Sequence, residues 1–184
     1  DRRALFFHQA PYQQIRNGDW ENLSIKYESR YFYPSSPLKE PFFSLLTHSE
    51  ETGLQLIRDL SNHAIQAWKQ LCEISEQVPL PTIIEFPWGV QKFWGNEKQY
   101  IWKKPVWINN AISSAYMVLE NWCFEQLEQG RDFDELIQKI TLGHESVAIL
   151  GVVSVLALNR QVVSNSIFPV VTNFKILELD KYRF

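Results

Sequence analysis

The sequence predicts a mainly α chain of stacked, solenoid-like helix pairs with an inserted aromatic β-hairpin. Three observations predict it. Apolar residues recur at steps of three and four over long stretches. Hydroxyl or acidic residues stand at cap positions just before those stretches. A run of β-branched and aromatic residues bounded by Pro and Gly lies between them.

Residues 1–40 show no sustained period. Tyr12, Trp20, Tyr27, Tyr31, Phe32 and Tyr33 are scattered among turn formers, and Pro34-Ser35-Ser36-Pro37 is a break. This stretch reads as an irregular segment wrapping over helices. The helical domain then covers 41–184, with the hairpin inserted near 82–103. A short helix is expected from Pro41 to Thr47. Thr47-His48-Ser49-Glu50 has capping-box spacing, and opens a helix running to about Glu73. Leu54, Ile57, Leu60, Ala64, Ile65, Trp68 and Leu71 mark one face of it, and Arg58, Asp59, Asn62, Gln66 and Lys69 lie off that face.

Pro79 and Pro81 end this helix region. Ile83, Ile84 and Phe86 suggest one strand near 82–86. Val90, Phe93 and Trp94, then Tyr100, Ile101 and Trp102, suggest a hairpin near 90–103 that turns at Gly95-Asn96. From Pro105, residues Ile108, Ala111, Ile112, Ala115, Leu119, Trp122, Cys123 and Leu127 return to helical spacing, closed by Gly130. Asp132 and Glu135 open a further helix that Gly143 ends. Ser146 can cap the helix from Val147 to Asn159, which is apolar on every side and so predicts full burial. Its small residues Ala148, Gly151, Ser154 and Ala157 predict a close helix crossing. A last helix is expected over Phe168 to Tyr182. Short helix, cap, long helix occurs at 41–73 and again at 132–159, and a third unit starts near Phe168; such pairs stack into solenoids.

The 184 residues suffice for one domain with a sizeable core. Hydrophobic residues at 45% speak against a disordered chain, and a net charge of -3 speaks against a generally basic nucleic-acid binder. Cys72 and Cys123 form no CxxC and read as reduced, buried thiols of a cytoplasmic protein. The longest apolar run, Val147 to Leu158, is shorter than the about 20 residues that cross a bilayer, so no membrane association is expected. The chain starts without Met and stops at Tyr182-Arg183-Phe184, which reads as a segment of a longer protein.

Chemistry-bearing patterns are sparse. A phosphate-binding loop needs a Gly-rich turn followed by Lys, and no Gly here precedes Lys. His144-Glu145 has the start of a zinc-protease motif, but position 148 is Ala. The other histidines, His8, His48 and His63, are scattered, and His48 and His144 read as helix-start residues in backbone or solvent contact. Cys123 beside Trp122 reads as a small core residue, not a nucleophile. Asp132 and Asp134 read as cap and surface groups. No metal, cofactor or catalytic residue is expected. The candidate interaction surface is the aromatic stretch: Trp88, Lys92, Phe93, Trp94, Lys98, Tyr100 and Trp102, with Lys103, Lys104 and Trp107 nearby. Aromatics interleaved with cations can cover helices, form protein hot spots or stack nucleic-acid bases. Packing is the first of these readings, protein contact the second and nucleic acid the third.

Two stretches carry a resemblance. Pro41-Phe42-Phe43-Ser44-Leu45-Leu46 leads into Glu51-Thr52-Gly53-Leu54-Gln55-Leu56-Ile57, then Ser61-Asn62-His63-Ala64 and Trp68. Glu145-Ser146-Val147-Ala148-Ile149-Leu150-Gly151-Val152 is followed by Phe168-Pro169-Val170-Val171 and Leu179-Asp180. Over roughly 40–184 the chain resembles the helical scaffold or sensor region of large bacterial ATP-binding proteins associated with anti-phage defence. The resemblance implies a non-catalytic helical scaffold or protein-interaction segment of an NTPase-linked parent. Its partners would be other domains of that parent or another protein. The motifs are packing motifs, the family's phosphate-binding loop is absent, and no catalytic residue carries over. The rival readings are a nucleic-acid-binding module and a small enzyme whose site assembles from distant residues.

Overall fold

The computed structural model describes residue 32 and residues 34–74, 78–104 and 110–181. Over these residues the chain is mainly helical with one small antiparallel hairpin. Most of the expected wrapping segment and the Pro105–Asn109 helix opening, Trp107 included, lie outside the described residues. Phe32 packs its ring 5.8 Å from that of Phe42.

Helix α1 (Phe42–His48) and helix α2 (Glu50–Ile74) form the first pair. Leu54, Ile57, Ala64, Ile65 and Trp68 of α2 face inward as predicted, whereas Leu60 is half-buried and Ser61, not on the predicted face, is buried. Each such aliphatic side chain contributes about 1.5–3 kcal/mol by leaving water. The α1–α2 joint differs from the expected capping box. Thr47 still belongs to α1, and its hydroxyl bonds back to the Phe43 carbonyl. Ser49 is the joint residue: its carbonyl accepts from Gly53 N, and its hydroxyl meets that of Thr52.

The hairpin sits earlier than predicted. Strand β1 (Thr82–Phe86) pairs antiparallel with β2 (Gly89–Phe93), in the register Thr82 to Phe93 and Phe86 to Gly89. The turn is Pro87-Trp88, not Gly95-Asn96. Asn96 instead caps helix α3 (Glu97–Tyr100): its side chain accepts from Lys98 N, while the Gln99 side chain returns to Asn96 N. This satisfied capping box converts the expected second strand into helix, continued by a 3-10 turn over Ile101–Lys103. Gly95 adopts φ +133, and a Cβ there would lie 2.6 Å from Val147, so this position requires glycine.

Helix α4 (Asn110–Glu128) is buried through most of its circumference and packs against α1, α2 and the helix over Val147–Arg160. Helix α5 (Phe133–Thr141) starts at Asp132, whose carboxylate accepts from Glu135 N as the sequence predicts. Helix α6 (Val147–Arg160) is capped by Ser146 through Ala148 N, and ten of its residues are buried. The pairs α1/α2 and α5/α6 stack across α4, and the core lies between these helices and the hairpin. The third unit is two short helices rather than one, α7 (Phe168–Val171) and α8 (Phe174–Asp180), because Asn173 breaks the run and caps α8. No helix among the described residues is long and apolar enough to cross a membrane.

Candidate functional site

The predicted aromatic surface is divided between core and exterior. Phe93, Tyr100 and Trp102 are fully buried. Trp88 is half-buried and stacks on Phe86 at 4.6 Å with rings 9° from parallel. Trp94 is half-buried. Lys92, on β2, and Lys98, in the first turn of α3, are exposed. The seven residues therefore do not share one face of a hairpin.

One of the nearby basic residues is drawn inward. Lys103 is buried, and its Nζ donates to the Gly151 carbonyl of α6 at 2.9 Å. A Cβ at Gly151 would stand 2.9 Å from Lys103 Cδ and 3.0 Å from its Cε. Gly151 thus makes room for a lysine stem. Beside it, the Tyr100 hydroxyl donates to Asp180 Oδ1 at 2.5 Å. Lys69 of α2 lies 3.3 Å above the Trp94 ring centre, a cation–π contact.

The richest polar cluster is one that sequence reasoning missed. It surrounds the α5–α6 turn, Leu142–Ser146. Asn62 of α2 clamps this turn: its Nδ2 donates to Gly143 O at 2.8 Å, and its Oδ1 accepts from Glu145 N at 2.9 Å. Gln66 and Lys69 both donate to Glu145 Oε2, at 2.6 and 2.7 Å. On the other side, Trp94 N donates to Glu145 O, and Trp94 O accepts from Val147 N. These bonds join α2, β2 and the α5–α6 turn in one knot. Its legible signal is the spacing of Arg58, Asn62, Gln66 and Lys69, which keeps one stripe of α2 polar.

Under the knot lies a buried layer of polar side chains. Ser61 Oγ and the Tyr116 hydroxyl are 2.6 Å apart. The His144 ring sits 6.4 Å from that of Tyr116. His144 is 5% exposed, where the sequence suggested contact with solvent, and its Nδ1 has no hydrogen-bond partner. Burial, reinforced by the Arg58 charge, holds its pKa down at about 3, so the imidazole is neutral. Burial likewise raises the Tyr116 hydroxyl to about 12, against the hydrogen bonds from Ser61 and Ser146.

The second fastening joins the start of α2 to α5. Glu50 accepts both Arg131 nitrogens at 3.0 Å and also pairs with Lys139. The Arg131 hydrogen bond lowers the Glu50 pKa. Near the start of α5, Asp134 accepts from Ser164 at 2.5 Å and from Ser166.

None of these groups is arranged as a nucleophile with its base. The thiol of Cys123 is buried, and desolvation pushes its pKa far up, away from the reactive thiolate. Cys72, expected to be buried, is only half so. The perturbed histidine faces Arg58 and a phenol, while the neighbouring Glu145 carboxylate is held by Gln66 and Lys69. His48 and His63 are exposed, and His48 ends α1 rather than starting a helix. Among the described residues no three His, Cys, Asp or Glu side chains converge as a metal site. Against known protein families, characterised proteins and solved structures, the chain finds no match.

Proposed function

We propose that this chain is a non-catalytic helical scaffold or protein-interaction segment of a larger bacterial, NTPase-linked defence protein. One observation carries the scaffold reading. The side chains best suited to chemistry are engaged in fastening elements to one another: Asn62, Gln66 and Lys69 to the α5–α6 turn, Lys103 to α6, and Glu50 to α5. The NTPase-linked setting rests on the resemblance carried by the α1–α2 and α6–α8 sequences.

The test is direct. The purified chain should bind partner domains of its parent without turning over ATP. ATP hydrolysis that a substitution within the chain abolishes would overturn the reading. A gel shift with nucleic acid whose affinity falls steeply with salt would replace it with a nucleic-acid-binding module.

A further inference from the structure

The α5–α6 turn carries an ionisable group in a place where ionisation has nowhere to go. His144 lies inside the turn with its Nδ1 unpartnered. The groups that face it are Arg58 of α2, whose Nε is likewise buried and unpartnered, and the Tyr116 ring of α4. Arg58 Cδ passes close enough to Gly143 that a Cβ there would be 3.2 Å from it. Glu145, the next residue along, points its carboxylate to Gln66 and Lys69. A proton on the imidazole therefore creates a buried cation beside the partly buried Arg58 guanidinium, with no acceptor at Nδ1.

The same turn is what holds α2, β2 and α6 together through main-chain bonds at Gly143, Glu145 and Val147. We infer that the α5–α6 turn is an acid-sensitive joint: protonation of His144 releases it from the Asn62 clamp and from Trp94. Opening exposes the imidazole to water, where its charge is stabilised. The joint is closed at neutral pH and opens as the medium acidifies, separating the α5/α6 pair from α2 and the hairpin.

The size of the effect follows from linkage. The imidazole titrates near 6.5 when solvated and near about 3 in the closed joint. Because its pKa in the closed state is depressed, the closed joint loses stability as pH falls below about 6.5, and the loss levels off only near about 3. Between about pH 7.5 and about pH 5 the opening equilibrium should rise about 30-fold.

Amide hydrogen exchange on the intact chain, corrected for intrinsic rates, reads this at the N–H groups of Trp94, Glu145 and Val147. The expected result is a roughly 30-fold loss of protection at the lower pH, while α4 amides stay protected. His144→Gln should make the protection of these three amides independent of pH. Glu145→Gln, which removes the carboxylate of the adjacent residue, should keep the full dependence. An unchanged rise of about 30-fold in His144→Gln, or protection in the parent that does not move with pH, would overturn the inference. If His144→Gln does not fold, the imidazole resonance of the parent decides. It should titrate below about 6.5 with a midpoint that coincides with the pH at which the Trp94, Glu145 and Val147 amide resonances shift, and a midpoint near 6.5 in the folded chain, or a titration that leaves those amides unmoved, would overturn the inference.

Discussion

Replacing Gly151 by Ala should destabilise the chain even though α6 gains a better helix former. Alanine in a helix interior is favoured over glycine by about 1 kcal/mol. Here the new Cβ would meet Lys103 at 2.9 Å from Cδ, 3.0 Å from Cε and 3.2 Å from Nζ. The lysine stem is buried and must move, and its bond to the Gly151 carbonyl is lost. A hydrogen bond from a charged donor contributes about 1.5–3 kcal/mol. The net loss is therefore about 0.5–2 kcal/mol. In a Lys103→Ala background the clash disappears, and the same Gly151→Ala change should stabilise by about 1 kcal/mol. Urea unfolding of the four proteins, followed by helical circular dichroism, measures the cycle, with an expected coupling of about 1.5–3 kcal/mol. Gly151→Ala that stabilises equally in both backgrounds would refute the role given to the lysine. Gly151→Leu goes further along the same axis, and should cost at least about 3 kcal/mol.

Asn62→Ala removes both arms of the clamp and leaves the Glu145 amide without its acceptor, a loss of about 1–3 kcal/mol in a thermal or urea melt; a change under about 0.5 kcal/mol would mean the clamp is dispensable. Phe93→Ala empties a fully buried site and should cost about 3–5 kcal/mol, while Lys98→Leu, at an exposed position, should melt with the parent. Arg131 and Lys139 depress the Glu50 carboxyl below its ordinary value of 4.5, so its stabilising contribution is full above that pH and disappears as pH falls through the lowered value. Glu50→Gln should flatten that acid limb of a stability-versus-pH curve and leave intact the limb that His144 sets below about 6.5.

Helix positions were legible because their signals are local. Asp132 and Ser146 cap the helices they announce, and the all-apolar run from Val147 is the most deeply buried helix. The hairpin was misplaced because two turn signals compete over a few residues. Pro87 followed two places later by Gly89 is the stronger pair, with proline preset at the second turn position and glycine free to take φ +132 at the fourth. Asn96 and Gln99, read as turn and strand, form a capping box whose partner is visible only once the fourth residue is considered. Only the α2 half of the polar knot was legible, as its polar stripe; the partner was not, since Asn62 and Gly143 are 81 residues apart. A polar stripe on α2 looks the same in sequence whether water or another turn satisfies it. The burial of Lys103 was equally hidden: nothing local distinguishes it from the exposed Lys98.

The knot around the α5–α6 turn also sets the order in which the chain can assemble. Its bonds to α2 span 76 to 83 residues, while β1 and β2 meet across a two-residue turn. Closing a loop of that length costs about 4 kcal/mol of chain entropy before any bond in it forms. The hairpin and the α1–α2 pair can gather early at little such cost. The clamp must then form late, after the climb to the transition state, and its members belong among the residues that leave first. Asn62→Ala should accordingly speed unfolding by nearly its whole stability loss and leave the folding rate almost unchanged.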